Sequence, residues 1–340
     1  MKLKEIGEFE FIDRIREGCL VRPEGVLLAI GDDAAAFKLP DGEPVLVTTD
    51  LLVEGVHFLR NATSGFNLGY KALAVNLSDI AAMGGVANEA FVSIAVPPDC
   101  DLEFLEDLYK GMRDLAGRHG INLLGGDTTG SRTDLVINIS VVGRAPAGRM
   151  LTRDAALPGD RIFATGHLGE SRAGLHLILN HILPDTEDDS ALVSAHILPH
   201  PSLSEGRFLA GQVGVHAAID VSDGLLSDLG HILTASNVGA RINREAVPVS
   251  PRLMRFCSRF GFNTVDYALA GGEDYVLIVT VAAKQVEALN RAYEGRFGKT
   301  LFDLGEITDT GKLEVVDSTG RIKSPAIEGW HHFRGELNGI

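Results

Sequence analysis

Six short segments of this chain set acidic residues among small ones, mostly at the end of an apolar run. They are Gly31-Asp32-Asp33-Ala34, Thr48-Thr49-Asp50, Asn76-Leu77-Ser78-Asp79, Gly125-Gly126-Asp127-Thr128-Thr129, Asp220-Val221-Ser222-Asp223-Gly224 and Gly271-Gly272-Glu273-Asp274-Tyr275. Carboxylates, hydroxyls and carbonyls are the ligands of hard divalent cations such as Mg²⁺. Glycine beside them lets the backbone approach closely and take conformations closed to other residues. Any one segment alone reads as a turn or a helix N-cap. Six in one chain, without a matching Lys/Arg cluster, point to a shared metal site. Chemistry that needs several Mg²⁺ ions is above all phosphoryl transfer from a nucleoside triphosphate, where metals offset the phosphate charge. The usual phosphate signatures are missing: there is no GxxxxGK[ST] loop, no HRD and DFG pair, and no GxGxxG after a strand. A triphosphate would then be held mainly through metals and backbone amides.

These segments must be positioned by the elements around them. Apolar, β-branched runs predict strands at 26–30, 45–49, 89–96 and 135–142, and helical spacing predicts helices at 8–18, 66–83 and 101–118. In the last of these, Phe104, Leu108, Met112 and Leu115 form a stripe. The Gly-, Pro- and Ala-rich stretch 143–159 reads as a crossover. Beyond it, strands are expected at 161–165, 216–220, 239–243 and 275–281, and helices at 169–181, 203–212, 224–236 and 283–293. The segment 182–190 reads as an acidic surface loop. The pattern predicts a two-domain α/β protein of α+β type, with residues 1–147 as one domain and 148–340 as the other.

Composition agrees. Apolar residues make up 45% of the 340 and charged residues 23%, which excludes a disordered chain. The formal net charge of −15 argues against a general basic face for nucleic acid or an anionic membrane. Cys19, Cys100 and Cys257 stand singly, as ordinary reduced thiols of a cytoplasmic protein do. No run of about 18 apolar residues predicts a transmembrane helix. The first eighteen residues lack the apolar stretch of a signal peptide.

The order and spacing of the motifs closely resemble the thiamine-monophosphate kinase family, within the superfamily named after aminoimidazole ribonucleotide synthetase. The resemblance runs through GEFEFIDRI at 7–15, IGDDAA at 30–35, TTDLLVEGVHF at 48–58 and YKALAVNLSDIAAMG at 70–84. It continues through LLGGDTT at 123–129, GRMLTRDAALPGD at 148–160, AIDVSDGLLSDLGHI at 218–232, ALAGGEDYVL at 268–277 and GWHHF at 329–333. The stretches 182–200 and 283–325 carry no matching motif. The resemblance implies ATP-dependent phosphorylation of thiamine monophosphate to thiamine diphosphate. It also implies several Mg²⁺ ions, ATP held between the domains, and a homodimer whose N-terminal domains pair through their β-sheets. By the same resemblance Asp33, Thr48, Thr49, Asp50, Asp79, Asp127, Asp220 and Asp223 are metal positions. Tyr109, Gly126, Asp127, Arg153 and Ser222 contact nucleotide, and His57, Glu273 and Trp330 contact the acceptor. Asp32 and Asp274 are adjacent carboxylates without an assigned role, and Lys71 is given no catalytic role.

One point stands on the residues themselves: no general base is evident beside the acidic motifs. A phosphate monoester acceptor needs none, because its second pKa is near 6 and it is mostly a dianion at neutral pH. Each assignment has a plainer competitor. Arg153 alone reads as a solvated surface charge, His57 as a lone His covering an apolar strand, and Trp330 as core or interface packing. Two other functions remain open on sequence: another ATP-using member of the superfamily, or a non-catalytic protein that binds nucleotide or thiamine phosphates.

Overall fold

Alternating apolar residues build the first sheet, seen here in a computed structural model that describes residues 14–15, 17–24, 26–28, 36–37, 44–145 and 149–323. Asp32, Asp33 and Trp330 lie outside the described residues, as does most of the helix expected at 8–18. The chain divides into two compact units, residues 1–80 with 85–148, and residues 81–84 with 149–340.

The first unit contains β1 (Val26–Leu28), β2 (Ala36–Phe37), β3 (Val45–Val53), α1 (Gly65–Ala82), β4 (Val86–Val96), α2 (Leu102–His119), β5 (Asn122–Gly130) and β6 (Val136–Arg144). β1 and β2 form a small antiparallel pair. The main sheet has the order β3-β6-β4-β5, with β4 and β5 parallel and the other pairs antiparallel. Leu108, Met112 and Leu115 of α2 are buried, as the helical stripe predicts, but its fourth member, Phe104, is only half-buried and Leu105 takes the core position instead; Leu68, Leu73, Leu77 and Ile80 of α1 are buried with them. The two helices cross at bare-backbone distance: a Cβ on Gly69 would lie 1.8 Å from the Leu108 carbonyl oxygen. The other face of the sheet is more open, and Val45, Val47 and Leu51 are exposed there.

The second unit runs β7 (Asp160–Ala164), α3 (Glu170–Leu179), α4 (Glu187–Ile197), α5 (Leu203–Ala210), β8 (Val215–Asp220), α6 (Leu225–Ser236) and β9 (Gly239–Asn243). It continues with α7 (Pro251–Phe260), α8 (Thr264–Leu269), β10 (Leu277–Ala282), α9 (Val286–Phe297), β11 (Phe302–Thr308), β12 (Leu313–Val316) and β13 (Ile322–Lys323). Its mixed sheet has the order β13-β12-β9-β11-β7-β10-β8. Alternate residues of β7 and β10 enter two separate cores. Ile162, Ala164 and Ile278 pack with Leu225, Leu229 and Leu253, whereas Phe163, Leu277 and Val279 pack with Leu209, Leu289 and Tyr293. Side chains that alternate across a strand thus place a helical layer on each face.

One expectation about the elements is corrected, and other elements appear that were not expected. The segment 122–130 is a strand although its Gly pair breaks the apolar alternation, because β4 supplies it with a parallel partner. The acidic segment 182–190 is not all loop. Helix α4 starts at Glu187, Thr186 caps it by accepting from the Asp189 N–H at 3.0 Å, and its acids fall in the first turn, where the helix dipole favours negative charge. Helices α7 and α8 were not expected, yet each has a side-chain cap, Ser250 and Asn263. Among the described residues no helix is long and apolar enough to cross a membrane. The three cysteines are free and buried.

Candidate functional site

β3 carries Thr48, Thr49 and Asp50, and the two-residue period of a strand separates them. The Thr48 hydroxyl donates to Oδ2 of Asp79 on α1. Asp50 shares that face with Thr48 and with the buried Leu46 and Leu52. Thr49 points the other way. Its Oγ1 meets Asn138 Nδ2 at 2.9 Å and Ser140 Oγ at 3.0 Å, from the neighbouring strand β6. Thr48, Asp50 and Asp79 are therefore brought to one side of the sheet, and the Thr49 hydroxyl is not.

Asp127 is exposed on β5, directly after Gly126. A bulge at Leu124 shifts the β4–β5 register there, and Gly126 takes a φ of 153° opposite Val92. A Cβ on Gly126 would lie 1.6 Å from the Val92 carbonyl oxygen, so only glycine fits. His57 follows β3 in a turn, and its Nδ1 accepts from the Val53 N–H at 3.0 Å. The neutral ring then carries its proton on Nε2, which leaves that atom as the donor. Tyr109 is only 4% exposed on α2, and burial raises its phenol pKa above the usual value. Its ring belongs to the first unit's core, as does the buried side chain of Lys71 on α1.

In the second unit β8 ends at buried Asp220, and the turn that follows is organised by a residue that sequence reasoning passed over. Oδ2 of Asp228 accepts the backbone N–H groups of Ser222 at 3.0 Å, Asp223 at 3.1 Å and Gly224 at 2.9 Å. Burial, then the negative charge of Asp220, pushes the Asp228 pKa up to about 7, while the N–H donors oppose the rise. One donor atom from each of Asp223, Asp228 and His231 lies within 4.8 Å of the others. Such a set of carboxylates and a ring nitrogen suits a divalent cation. The carboxylate and hydroxyl character of Thr48, Asp50, Asp79 and Asp127 suits Mg²⁺ equally. Arg153 is exposed in the turn after Thr152, and its carbonyl accepts from Ser236 Oγ at 2.8 Å.

The segment 271–275 is locked in an uncommon conformation. Glu273 has φ 58° and Tyr275 φ 50°, values few residues other than glycine adopt. Their N–H groups donate to the carbonyls of Ser222 at 2.7 Å and Val221 at 2.9 Å, which ties the segment to the Asp228 turn. Asp274 is held at the start of α3, where its carboxylate accepts from the N–H groups of Gly169 at 2.7 Å and Ser171 at 3.3 Å. Burial pushes its pKa up to about 7, against those two bonds. The Glu273 carboxylate faces His196 Nδ1 at 3.1 Å, and Ser171 Oγ lies 3.0 Å from the same nitrogen. His196 sits on α4, in a stretch without a recognisable motif, so only the tertiary contact reveals it. The Asp228 spacing was visible, five residues after Asp223, but it reads as a polar residue on an amphipathic helix.

Comparison with known proteins gives this site a setting. Residues 31–145 match the family model described as AIR synthase related protein, N-terminal domain, and residues 158–318 match its C-terminal domain. The thiamine-monophosphate kinase of Escherichia coli (strain K12) is 41% identical over 308 residues, which cover 89% of this chain and 90% of that protein. The crystal structure of thiamine-monophosphate kinase from Stenotrophomonas maltophilia K279a is 38% identical with a TM-score of 0.81, covering 91% of this chain and 96% of that one. AaThiL complexed with AMPPCP and TMP is 33% identical with a TM-score of 0.76, covering 98% of this chain and 99% of that one.

Proposed function

This chain belongs to the thiamine-monophosphate kinase family, phosphotransferases of the two-domain AIR synthase related fold, and from that premise we propose that it transfers the γ-phosphoryl group of ATP to thiamine monophosphate. The observation that carries the reading is the match over 98% of the chain to a relative complexed with both AMPPCP and TMP. Asp33, Thr48, Asp50, Asp79 and Asp127 in the first domain, residues 1–147, hold Mg²⁺ ions, as do Asp220 and Asp223 in the second, residues 148–340. Thr49 is placed in the set as well, but on the opposite sheet face from Thr48, the face that the strand register gives Asp127. Bound Mg²⁺ would offset the charge of the phosphates and align them.

The protein's own groups do the rest. Gly126 brings bare backbone beside Asp127, and the Ser222 hydroxyl and the exposed Arg153 guanidinium meet nucleotide oxygens; Tyr109, expected to contact nucleotide, is instead buried in the first domain's core and takes no such role. His57, Glu273 and Trp330 orient the acceptor, with His57 Nε2–H as donor and Glu273 as a negative partner for the cationic thiazolium. An oxygen of the acceptor phosphate attacks the γ-phosphorus in line, the bond to ADP breaks, and no phosphoenzyme forms. The acceptor oxygen is already ionised, so no base is needed. The first domains of two chains pair as a homodimer through the open sheet face that exposes Val45, Val47 and Leu51. The reaction belongs in the cytoplasm.

Turnover tests this directly. With ATP and Mg²⁺, thiamine monophosphate should be converted to thiamine diphosphate, and free thiamine should not be phosphorylated. Equal turnover of both would reveal a base and overturn the acceptor assignment. In excess EDTA, ATP binding should weaken strongly, because an acidic site repels the free triphosphate; tight binding without metal would contradict the metal-held nucleotide.

A further inference from the structure

We infer that His196 is the positioning residue that fixes the Glu273 carboxylate for recognition of the cationic acceptor. The role rests on the acceptor contact proposed above for Glu273. Four observations support it. Glu273 sits at φ 58°, in a segment whose backbone is tied down on both sides of it, so the start of its side chain has one direction. Its side chain is partly exposed, at 29%, whereas the His196 side chain is only 8% exposed. His196 Nδ1 meets Glu273 Oε2 at 3.1 Å. Ser171 Oγ braces the same nitrogen at 3.0 Å.

The charges decide the tautomer. A lone pair on Nδ1 facing a carboxylate oxygen would be repulsive, so Nδ1 carries the proton and donates it to Glu273 Oε2. Ser171 Oγ then accepts a share of the same N–H, while the Ser171 backbone N–H is held by Asp274. The first turn of α3 thus anchors both adjacent carboxylates, Asp274 directly and Glu273 through His196. The partly exposed Glu273 side chain is thus braced from its buried side, which gives it one aim toward a positively charged ligand. A glutamate not held in this way would sample several rotamers and lose that aim.

The test separates geometry from folding. His196→Asn keeps an N–H at the place of Nδ1. His196→Phe keeps the ring and removes the donor, and His196→Gln moves the donor outward. Steady-state kinetics of the full chain with ATP, Mg²⁺ and thiamine monophosphate should show His196→Phe and His196→Gln raising KM for thiamine monophosphate about tenfold, the worth of one hydrogen bond to a charged group. KM for ATP should stay within about twofold, and His196→Asn should recover most of the loss. In a Glu273→Gln background, His196→Phe should add nothing further, since the two act as a unit. Should His196→Phe fail to fold, the contrast between Asn and Gln carries the same test. Unchanged KM for thiamine monophosphate in both Phe and Gln variants, or equal rises in both KM values, would overturn the role. If the wild-type chain itself did not phosphorylate thiamine monophosphate, the proposed function would fail and this role with it. Normal wild-type turnover with indifferent His196 variants would remove this role alone.

Discussion

Two buried aspartates shape the site without belonging to the expected set. Asp274 has its pKa pushed up to about 7 by burial, above the value of an exposed carboxyl near 3.9 in the unfolded chain. The folded protein therefore binds a proton that the unfolded chain has released over roughly pH 4–7. Stability from this group is present at the acid end and lost as pH rises through about 7. Asp274→Asn retains an acceptor for Gly169 and cannot titrate. The gap in melting temperature between wild type and variant should thus shift in favour of wild type as pH falls from 7 to 4, and a pH-independent gap would refute the shift. Asp228 acts through one oxygen that accepts three backbone donors. Asp228→Ala should cost about 3 kcal/mol and raise the Mg²⁺ concentration needed for half-maximal activity, because the Asp223 turn loses its anchor. Asp228→Asn, with a carbonyl oxygen in the same place, should fall well short of that loss. Equal losses would mean that charge, not acceptor geometry, holds the turn.

At the level of elements, β5 shows how a strand can deliver a carboxylate while breaking strand rules. Its Gly125-Gly126 pair admits a bulge and lets the chain pass Val92 at a distance no side chain tolerates. The two glycines are not equivalent. Gly126→Ala meets the Val92 carbonyl oxygen at 1.6 Å and a φ of 153°, and should cost about 3 kcal/mol or more. Gly125→Ala finds its nearest neighbour, Phe91 Cδ1, at 4.0 Å and should cost less than about 1 kcal/mol. Thermal melting of the two variants reads this out, and similar losses would contradict the bulge geometry. Helix α4 makes the complementary point. Its acidic first turn and Thr186 cap fix where it starts, and that start carries His196 to its place beside Glu273.

For the whole molecule, the first unit leaves an apolar sheet face open: Val47 is 68% exposed and Leu51 53%. A second copy of the same face is the proposed cover. Val47→Glu would put two like charges into that interface and leave the monomer's buried side untouched. The wild-type chain should sediment at twice its monomer mass, and Val47→Glu at the monomer mass. A monomeric wild type would refute the pairing. The net charge of −15 acts at this scale as well, since it disfavours any anionic ligand that arrives without its cations.

The sequence by itself determined the family and most of the frame. Its acidic glycine motifs marked where carboxylates cluster, and local periodicity placed α1, α2, β3, β4 and β6 because a one-sided buried face writes itself into the order of residues. It could equally specify caps such as Thr186, but an acidic run reads the same whether it opens a helix or lines a loop. What only the tertiary structure decided were relations between distant segments. The parallel pairing that makes 122–130 a strand and the meeting of Ser171, His196 and Glu273 join residues whose neighbours in the chain carry no sign of them, whereas the three N–H groups gathered on Asp228 lie nearby in the chain and are revealed only by the folded turn. Hydrogen bonds and burial act through space, so a side chain's role is fixed by what the fold brings to it rather than by the residues on either side.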